Sequence, residues 1–454
     1  MVENMLVSNR FFALNIMMVE FLLLRMVIVT LFLYQFSYDF GIRLFLYQFV
    51  GLLFIVFFVV RSFVTRKKYK LNSGSIRVIW LILIIFFFKS TSILGVLFNS
   101  QGQQDYFDYF TKGYLYLLFH TILILVSILS VSQLNFRNLN KLIAFIIWLV
   151  VALCLYQYVS LICLIYFDFN LDEMIYSDIF SLNQTSLGLE KNIIGDDVST
   201  FFRSGSLIGS VNGFAALLIL VLPFTFAMYL DFRKPLYLMA SALITISILL
   251  TLSRAGLLGL AVTVIAAFFI FRSNVTTVKL LSYGFFGLIF IILVSTSSLL
   301  NSAYFRLDTS VFDGPRWDLL IYGVSVISES PLLGRGLNTA SIVMDGSRIS
   351  DVTGNDFHSF YIENFVNLGI FGLIAGIALI IFILATSYGH PPVMKATFIG
   401  TLSLILMNFF TNSFDQPYVF IVWLVLYVTA ASSSRLKNDS RRSYLMQNQK
   451  FNIK

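Results

Sequence analysis

The stretch LIGSVNGFAALLILVLPFTFAMYL, residues 207–230, contains no charged side chain. About 20 mainly apolar residues in a helix cross the hydrocarbon core of a membrane, whereas apolar stretches of 10–14 residues are more typical of buried helices in soluble domains. This stretch therefore predicts a transmembrane helix. Similar stretches recur along the whole chain, so the same reasoning sets the fold class of the entire molecule.

The composition agrees with a membrane protein. Of the 454 residues, 58% are hydrophobic and only 12% are charged, and the mean hydropathy is +0.86. Soluble domains carry about 25% charged residues, and no soluble fold of this length could bury 49 Phe side chains. The composition therefore excludes soluble enzymes, disordered proteins and nucleic-acid binders, despite a net charge of +8.

The hydropathy pattern predicts an all-α integral membrane protein with about 12 transmembrane helices. The first span is too long for the apolar region of a secretory signal, and no small-residue cleavage site follows it, so we expect it to be retained. The predicted spans are 11–34, 44–60, 78–97, 114–132, 142–167, 207–230, 235–252, 255–271, 280–300, 361–386, 395–412 and 417–433.

The loop charges predict the orientation. With the N-terminus in the cytoplasm, the inner segments hold 20 Lys and Arg residues and three acidic residues. The outer segments hold nine Lys and Arg residues and 19 acidic residues. Because short cytoplasmic loops are rich in Lys and Arg, we expect both termini on the cytoplasmic side of a bacterial plasma (inner) membrane.

Three charged residues, Glu20, Arg25 and Lys89, fall in the interior of predicted spans, away from the span ends. Each charge at the centre of a bilayer costs about 2.5–3.5 kcal/mol on insertion scales, so each needs a partner. Glu20 and Arg25 are separated by about 140° around a helix and do not face each other. We therefore predict a contact between Glu20 and Lys89.

Two outer segments are longer than turns, an acidic one at 168–206 and a larger one at 301–360. Within the second, Asp313 or Gly314 is a candidate cap, Pro315 suits a first helical turn, and Ser330-Pro331 is a stop signal. Apolar residues at helical spacing between these signals predict an amphipathic helix on the outer membrane face. The alternative is a re-entrant half-helix.

The chain divides into three predicted regions. Residues 1–200 form an N-terminal five-span region with the acidic outer loop, and residues 201–434 form a catalytic seven-span region with the loop 301–360. Residues 435–454 form a basic cytoplasmic tail.

Several cationic residues lie on the predicted outer face, where the positive-inside rule disfavours them. Any one of them could anchor a phospholipid headgroup, and we accept that interpretation for Arg306 and Arg348. It is weaker for Arg203 and Arg254, which adjoin apolar helix without an acidic neighbour in sequence. Fixed guanidinium groups in a partly dehydrated site are suited to binding a diphosphate. The outer set of interest is Arg203, Arg254, Arg316, Arg335, His358 and Asp415.

His358 differs from an ordinary loop histidine because Tyr361 and Glu363 follow it and because it is the only histidine on the outer face. Outer acidic pairs such as Asp105/Asp108 are more typical of a solvated surface. A membrane glycosyltransferase that uses a metal would be expected to have an acidic pair in its first outer loop, and that loop contains only Asp39. We therefore predict no metal site and no cofactor.

Four groups of motifs together resemble the O-antigen polymerase/ligase superfamily. The resemblance runs from about 200 to 420, and the first five spans match only in hydrophobicity. One departure is Val211-Asn212, where the family often has Pro-Asn. The motifs are FRSG at 202–205 with NGFA at 212–215, LSRAG at 252–256, RW at 316–317 with ESPLLGRG at 329–336, and HSFYIE at 358–363 with GIFG at 369–372.

The resemblance implies a glycosyltransferase that takes glycan from an undecaprenyl diphosphate carrier to a sugar hydroxyl, in O-antigen, capsule or exopolysaccharide synthesis. Arginines would stabilise the leaving diphosphate without a metal, and we assign Arg203 and Arg254 to it. Arg316 or Arg335 would contact the glycan, and Asp415 a sugar or the histidine. His358 would act as general base, with Tyr361 and Glu363 binding substrate nearby. Possible partners are the chain-length regulator and flippase of the same pathway.

Two alternatives stay open. A ligase of the same superfamily would move finished polymer to a final acceptor and would use the same residues. A transporter of lipid-linked sugar would also suit twelve spans. However, transporters often repeat internally and bind at the midplane, whereas here we detect no repeat and the polar residues gather on the outer face.

Overall fold

The computed structural model describes residues 2–33, 37–39, 43–65, 71, 73–99, 104–171, 174–175, 189–194, 199–208, 210–271, 315–345, 357, 359–388, 391–414 and 416–451. Helices account for most of them. They are α1 (Val2–Phe32), α2 (Leu46–Thr65), α3 (Ser73–Thr91), α4 (Ile93–Asn99), α5 (Gln104–Ser132), α6 (Phe136–Phe167), α7 (Val211–Phe232), α8 (Leu236–Leu250), α9 (Arg254–Phe271), α10 (Pro315–Glu329), α11 (Ala340–Asp345), α12 (Phe360–Ser387), α13 (Pro392–Met407) and α14 (Pro417–Phe451).

The all-α membrane architecture predicted from the sequence is confirmed. Among the described residues, eight helical segments are long and apolar enough to cross a membrane, and α8 and α13 are shorter apolar helices. Each predicted span coincides with a described helix, except 280–300, which lies outside the described residues. Helices satisfy their own backbone hydrogen bonds, which is why apolar stretches adopt them in lipid.

Short antiparallel hairpins lie between helices in two places. Strands β1 (Ser37–Asp39) and β2 (Arg43–Phe45) connect α1 to α2. Strands β3 (Leu189–Ile194) and β4 (Ser199–Ser204) lie in the acidic segment before α7. A short 3-10 turn, Ser206–Ile208, then leads into α7, which begins four residues later than the predicted span.

Helix α7 lies at the centre of the bundle, and 83% of the residues in its most apolar stretch are buried. It packs against α8, α9 and α13. Small residues allow close approach, as is common between membrane helices. Gly259 of α9 faces Ile219, and Gly400 of α13 faces the carbonyl of Leu220. The main apolar core includes residues of α1, α5 and α6 as well as α7, so it joins the predicted N-terminal and catalytic regions.

The predicted contact between Glu20 and Lys89 is wrong. Glu20 of α1 is buried and forms an ion pair with Arg61 of α2, and the hydroxyl of Ser130 on α5 donates to its carboxylate over 2.6 Å. Arg61, which lies one residue beyond the predicted span 44–60, belongs to the buried part of α2. The Arg25 guanidinium lies over the rings of Phe21 and Phe145.

Helix α10 is the amphipathic helix predicted in the segment 301–360, and it begins at Pro315 and ends before Ser330-Pro331 as expected. Leu319 and Val326 on one face are buried, whereas Ile321 and Val324 on another are about half exposed. The buried face packs against α12.

Candidate functional site

Arg254 is the first residue of α9 and follows a tight turn in which Leu252 has a φ of 49°. The Ser253 hydroxyl accepts from the amide of Gly256, which caps the helix. The same hydroxyl donates to the side-chain oxygen of Asn212 over 2.7 Å. Asn212 lies in the first turn of α7, so this bond fixes the beginning of α9 beside the beginning of α7. Arg254 itself is exposed.

The first turn of α7 also contacts the start of α14. Ser210 caps α7 by accepting from the amide of Gly213. A Cβ atom at Gly213 would overlap the hydroxyl of Tyr418, which lies one residue after Pro417, the first residue of α14. The glycine is therefore required for the close approach of these two helix ends.

The start of α12 joins the same cluster. The amide of Phe360, the first residue of α12, donates to the carbonyls of Asn408 and Thr411 over 3.1 and 3.0 Å. Its ring contacts the ring of Phe414 at 5.3 Å, and the amide of Phe414 donates to the Asn408 side chain. Consequently, the chain segments on either side of positions 358 and 415 meet. His358 and Asp415 themselves lie outside the described residues.

Helices α7, α9, α12 and α14 thus begin at one face of the bundle, which we call the site face. The first residues of these four helices are Val211, Arg254, Phe360 and Pro417. The amides of Gly213, Gly256 and Phe360 already have partners, and the helix dipole adds a partial positive charge at each of these helix ends. Four such ends together with an exposed arginine favour an anionic ligand.

A loop at residues 330–339, which we call the docking loop, fills a break in α12. At Gly369 the helix has a φ of 65° and a ψ of −168°, about 14 Å along the axis from its start. The amides of Arg335 and Gly336 donate to the carbonyls of Val366 and Asn367 over 2.7 and 3.0 Å. In return, the amide of Ile370 donates to the carbonyl of Pro331 over 2.9 Å. The loop therefore supplies the hydrogen bonds that the break removes.

The predicted N-terminal region, residues 1–200, also contacts the docking loop. The amide of Leu337 donates to the hydroxyl of Ser92, at the end of α3, over 3.1 Å, and that hydroxyl donates to the carbonyl of Lys89 over 2.7 Å. A Cβ atom at Gly95 of α4 would lie 2.5 Å from the carbonyl oxygen of Gly334. Residues from both halves of the chain therefore surround this motif.

Other predicted site residues have varied surroundings. Arg335 forms an ion pair with Glu329, which is mostly exposed. The Tyr361 hydroxyl donates to the carbonyl of Ile405 over 3.1 Å, so it packs α12 against α13. Glu363 is half-buried in the first turn of α12.

Arg203 and Arg316 are described at the level of the backbone only. Arg203 is a residue of β4, opposite Glu190 of β3, and Arg316 is the second residue of α10. The contacts described above bring Arg254 close to the first turn of α7, and they do not extend to Arg203.

An apolar cavity of about 120 Å³, which the sequence did not predict, lies between α3, α5, α12 and α14. Its lining includes Lys89, His120 and Asn364. The ring nitrogen Nε2 of His120 is 2.9 Å from the hydroxyl of Tyr47, and the two rings stack. The only signal in the sequence was that Lys89 and His120 are polar residues inside spans; nothing in the local pattern indicates that they share a cavity.

Residues 239–377 match a family model described as O-Antigen ligase. The match covers about a third of the chain and includes Arg254, Arg316, Arg335 and His358, whereas Arg203 and Asp415 lie outside it. It confirms the resemblance to the O-antigen polymerase/ligase superfamily, whose members are glycosyltransferase-like enzymes acting on lipid-linked oligosaccharide. No curated protein matches the sequence.

Proposed function

We propose that this multi-pass membrane protein, similar over residues 239–377 to the O-antigen ligase family, polymerises lipid-linked oligosaccharide repeat units. The donor would be a glycan on undecaprenyl diphosphate and the acceptor a sugar hydroxyl of a second unit. The reaction would take place on the outer face of a bacterial plasma membrane, with both termini of the chain cytoplasmic.

The observation that carries the proposal is the convergence of four helix beginnings at the site face, with Arg254 at one of them. The Ser253–Asn212 bond holds Arg254 in place. A diphosphate leaving group gains negative charge as its bond to the sugar breaks, so preorganised positive groups stabilise the transition state more than the ground state. This arrangement supports diphosphate chemistry without a metal.

The proposed reaction is a single displacement. The acceptor oxygen attacks the anomeric carbon, the bond from that carbon to the diphosphate oxygen breaks, and undecaprenyl diphosphate leaves. His358 takes the proton from the acceptor hydroxyl, since an imidazole is the side chain suited to this near neutral pH. Arg203 and Arg254 neutralise the diphosphate.

The remaining assignments concern the glycans. Arg316 and Arg335 would contact donor or acceptor sugars, and Tyr361 and Glu363 would shape the subsite beside His358. Because the Tyr361 hydroxyl already donates to Ile405, its part in binding would come from the ring. Asp415 would orient a sugar or the His358 imidazole.

The test uses purified protein in lipid nanodiscs with a lipid-linked repeat unit, and the products are followed by mass analysis. We expect His358→Ala and Arg254→Ala to reduce polymer at least 100-fold, in line with losses of a general base or of charge stabilisation. His390→Ala and Arg435→Ala, predicted for the cytoplasmic side, are the matched controls and should retain normal chain lengths. A well-folded His358→Ala variant with wild-type products would contradict the proposed base.

A ligase is the second candidate, because the matching family model is itself described as O-Antigen ligase. Cells lacking a polymerase should carry single repeat units on their surface glycan, whereas cells lacking a ligase should accumulate full-length chains on the carrier. A gel of the surface glycan from a deletion strain separates these two functions.

A transporter is the third candidate. The break in α12 at Gly369 favours it, since discontinuous helices form substrate sites in many transporters. Movement of a fluorescent lipid-linked sugar across the membrane of protein-containing vesicles, without glycan transfer, would favour it over both enzymes.

A further inference from the structure

Asn408 is a polar residue that is fully buried at the end of α13, directly after Met407. Its side-chain oxygen Oδ1 accepts from the amide of Phe414 over 3.0 Å, and its side-chain nitrogen Nδ2 donates to the carbonyl of Leu404 over 2.7 Å. Its backbone carbonyl accepts from the amide of Phe360 over 3.1 Å. One buried residue therefore joins the end of α13, the turn that follows it and the start of α12.

The turn after α13 is the part of the chain that contains Asp415. Phe414, one residue before Asp415, is 3% exposed, so its amide lies away from water and needs a partner within the protein. That partner is the side chain of Asn408. On the other side of Asp415, the amide of Gln416 donates to the carbonyl of Ser413 over 3.2 Å. Hydrogen bonds therefore fix the chain immediately before and immediately after Asp415.

The start of α12 is the part of the chain that follows His358. Ser359 is 5% exposed, and the next amide, that of Phe360, donates to the carbonyls of Asn408 and Thr411. The rings of Phe360 and Phe414 are in contact, with centroids 5.3 Å apart. Because Asn408 bonds to both phenylalanine amides, it sets the position of one segment relative to the other.

We infer that Asn408 is a positioning residue for glycan transfer, because it holds the turn that contains Asp415 in a fixed place relative to the chain at His358. The inference rests on the proposed function for the roles of His358 and Asp415. Asn408 is buried and acts through Phe414, without touching glycan or diphosphate. An error of about 1 Å in the placement of a reacting group can lower a rate about 100-fold, so such a residue controls the rate. Asn408 lies beyond residue 377, in a part of the chain that the family match does not reach.

The two ends of the Asn408 amide have different tasks, and substitutions can separate them. The oxygen anchors the turn through Phe414, whereas the nitrogen satisfies the carbonyl of Leu404 in the last turn of α13. Asn408→Ala removes both bonds. Asn408→Asp keeps an oxygen for the Phe414 amide and loses only the donor to Leu404, since a carboxylate accepts hydrogen bonds and does not donate them.

The experiment measures kcat and KM of purified full-length protein in lipid nanodiscs with a lipid-linked repeat unit. We expect Asn408→Ala to lower kcat about 10- to 100-fold and to leave the KM for the donor within about twofold, because the reacting geometry changes and ground-state binding does not. Asn408→Asp should keep most of the wild-type kcat even where the buried charge lowers its thermal midpoint.

Ser403→Ala is the matched control. Ser403 is also fully buried on α13, and its hydroxyl accepts from the Thr263 hydroxyl of α9 over 2.8 Å. The substitution removes a buried contact between two helices and leaves the bonds of Asn408 in place. It should lower the thermal midpoint and leave kcat unchanged, which separates a loss of stability from a loss of positioning.

A double-mutant cycle tests whether Asn408 acts through the turn that contains Asp415. Residues that act as a unit give losses that do not add, so Asn408→Ala should have little further effect on kcat once Asp415→Ala is present. Losses in kcat that multiply in the double variant would show that the two residues act independently and would overturn the inference.

Two further results would overturn it. One is a wild-type kcat in a folded Asn408→Ala variant, and the other is an equal loss of kcat in Asn408→Ala and Asn408→Asp. If Asn408→Ala does not fold, Asn408→Gln takes its place, because it keeps both polar groups and moves the accepting oxygen by one methylene. We then expect a loss in kcat of about tenfold, and a wild-type kcat in Asn408→Gln would contradict the inference in the same way.

Hydrogen exchange separates failure of this inference from failure of the proposed function. Measured by mass spectrometry on the peptide 409–416, exchange should be faster in Asn408→Ala than in wild type and unchanged in Ser403→Ala. If exchange rises as expected but wild-type protein transfers no glycan, the proposed function fails and the anchoring of the turn stands. If His358→Ala loses polymer while Asn408→Ala keeps the wild-type kcat, the function stands and the positioning role is wrong.

Discussion

Individual buried charges show how this chain tolerates polar residues in a membrane. Glu20 and Arg61 are 5% and 4% exposed, and the Ser130 hydroxyl adds a second contact to the carboxylate. The three residues belong to α1, α2 and α5, so one ion pair and one hydrogen bond join three helices. Removal of one partner leaves the other charge buried without its counter-ion in this pair.

Glu20→Gln and Arg61→Met should therefore each destabilise the protein by about 3–5 kcal/mol, and the double variant by less than the sum. Thermal unfolding of the purified protein measures the coupling. Lys89→Met is the control, and its effect should add to that of Glu20→Gln. Strict additivity of Glu20→Gln and Arg61→Met would show that the pair contributes nothing to stability.

Ser253 is a second informative residue because it both caps α9 and bonds to Asn212. Ser253→Ala should cost about 1 kcal/mol through loss of the cap. It should also raise the KM for lipid-linked donor, because Arg254 would lose its fixed position. Ser241→Ala is the control, because the Ser241 hydroxyl donates to the carbonyl of Leu238 within its own helix. Steady-state kinetics with an unchanged KM in Ser253→Ala would mean that the bond does not position Arg254.

At the scale of elements, the break in α12 and the docking loop form one unit. Gly369 requires a positive φ, and a Cβ atom there would overlap the carbonyl of Leu332. The backbone hydrogen bonds from Arg335 and Gly336 depend on this geometry.

Gly369→Ala should destabilise the unit by roughly 1–3 kcal/mol from the positive-φ backbone alone, and by more from the overlap. The docking loop should then become susceptible to protease under conditions in which the wild-type loop resists. Ile374→Ala, on the exposed side of the same helix, should leave the cleavage pattern unchanged. Equal protease resistance of Gly369→Ala and wild type would show that the loop does not depend on the break.

Local signals explain which elements could be predicted. Spans are set by continuous hydropathy, and the limits of α10 are set by Pro315 and Ser330-Pro331, all of which are visible within a few residues. The Glu20–Arg61 pair, the Ser253–Asn212 bond and the cavity beside Lys89 join residues far apart in sequence. Hydropathy does not encode which helices become neighbours, so these contacts could not be predicted.

The candidate site was predictable only in part for the same reason. The tight turn before Arg254 follows from the short interval between two spans, and the turn is present. The bond between this turn and α7 depends on how the helices pack, and the local sequence does not show that packing. The roles assigned to all the site residues stay predictions; these residues are Arg203, Arg254, Arg316, Arg335, His358, Tyr361, Glu363 and Asp415.

At the scale of the whole molecule, the orientation of the bundle is the main expectation. The loop charges predict that the site face and the docking loop lie on the outer face of the plasma membrane and that the turn between α7 and α8 lies on the cytoplasmic side. Leu332 on the docking loop and Leu236 at the start of α8 are both more than half exposed, so each is accessible for labelling.

Single cysteines at these two positions, in a chain with Cys154 and Cys163 replaced by serine, test the orientation. In intact cells, a membrane-impermeant maleimide should label Leu332→Cys and should label Leu236→Cys only after permeabilisation. The reverse pattern would place both termini outside and would remove the site from the outer face.

The hydrogen bond from Leu337 to Ser92 has a consequence for biosynthesis. The two residues are 245 positions apart, and Ser433 and Asn140 form another contact across 293 positions. At about 5–20 residues per second, roughly 12–50 s separate the synthesis of Ser92 from that of its partner. The early helices are inserted well before the docking loop exists. A nascent or truncated chain can therefore occupy the membrane without a complete site, and the site forms only when synthesis is nearly finished.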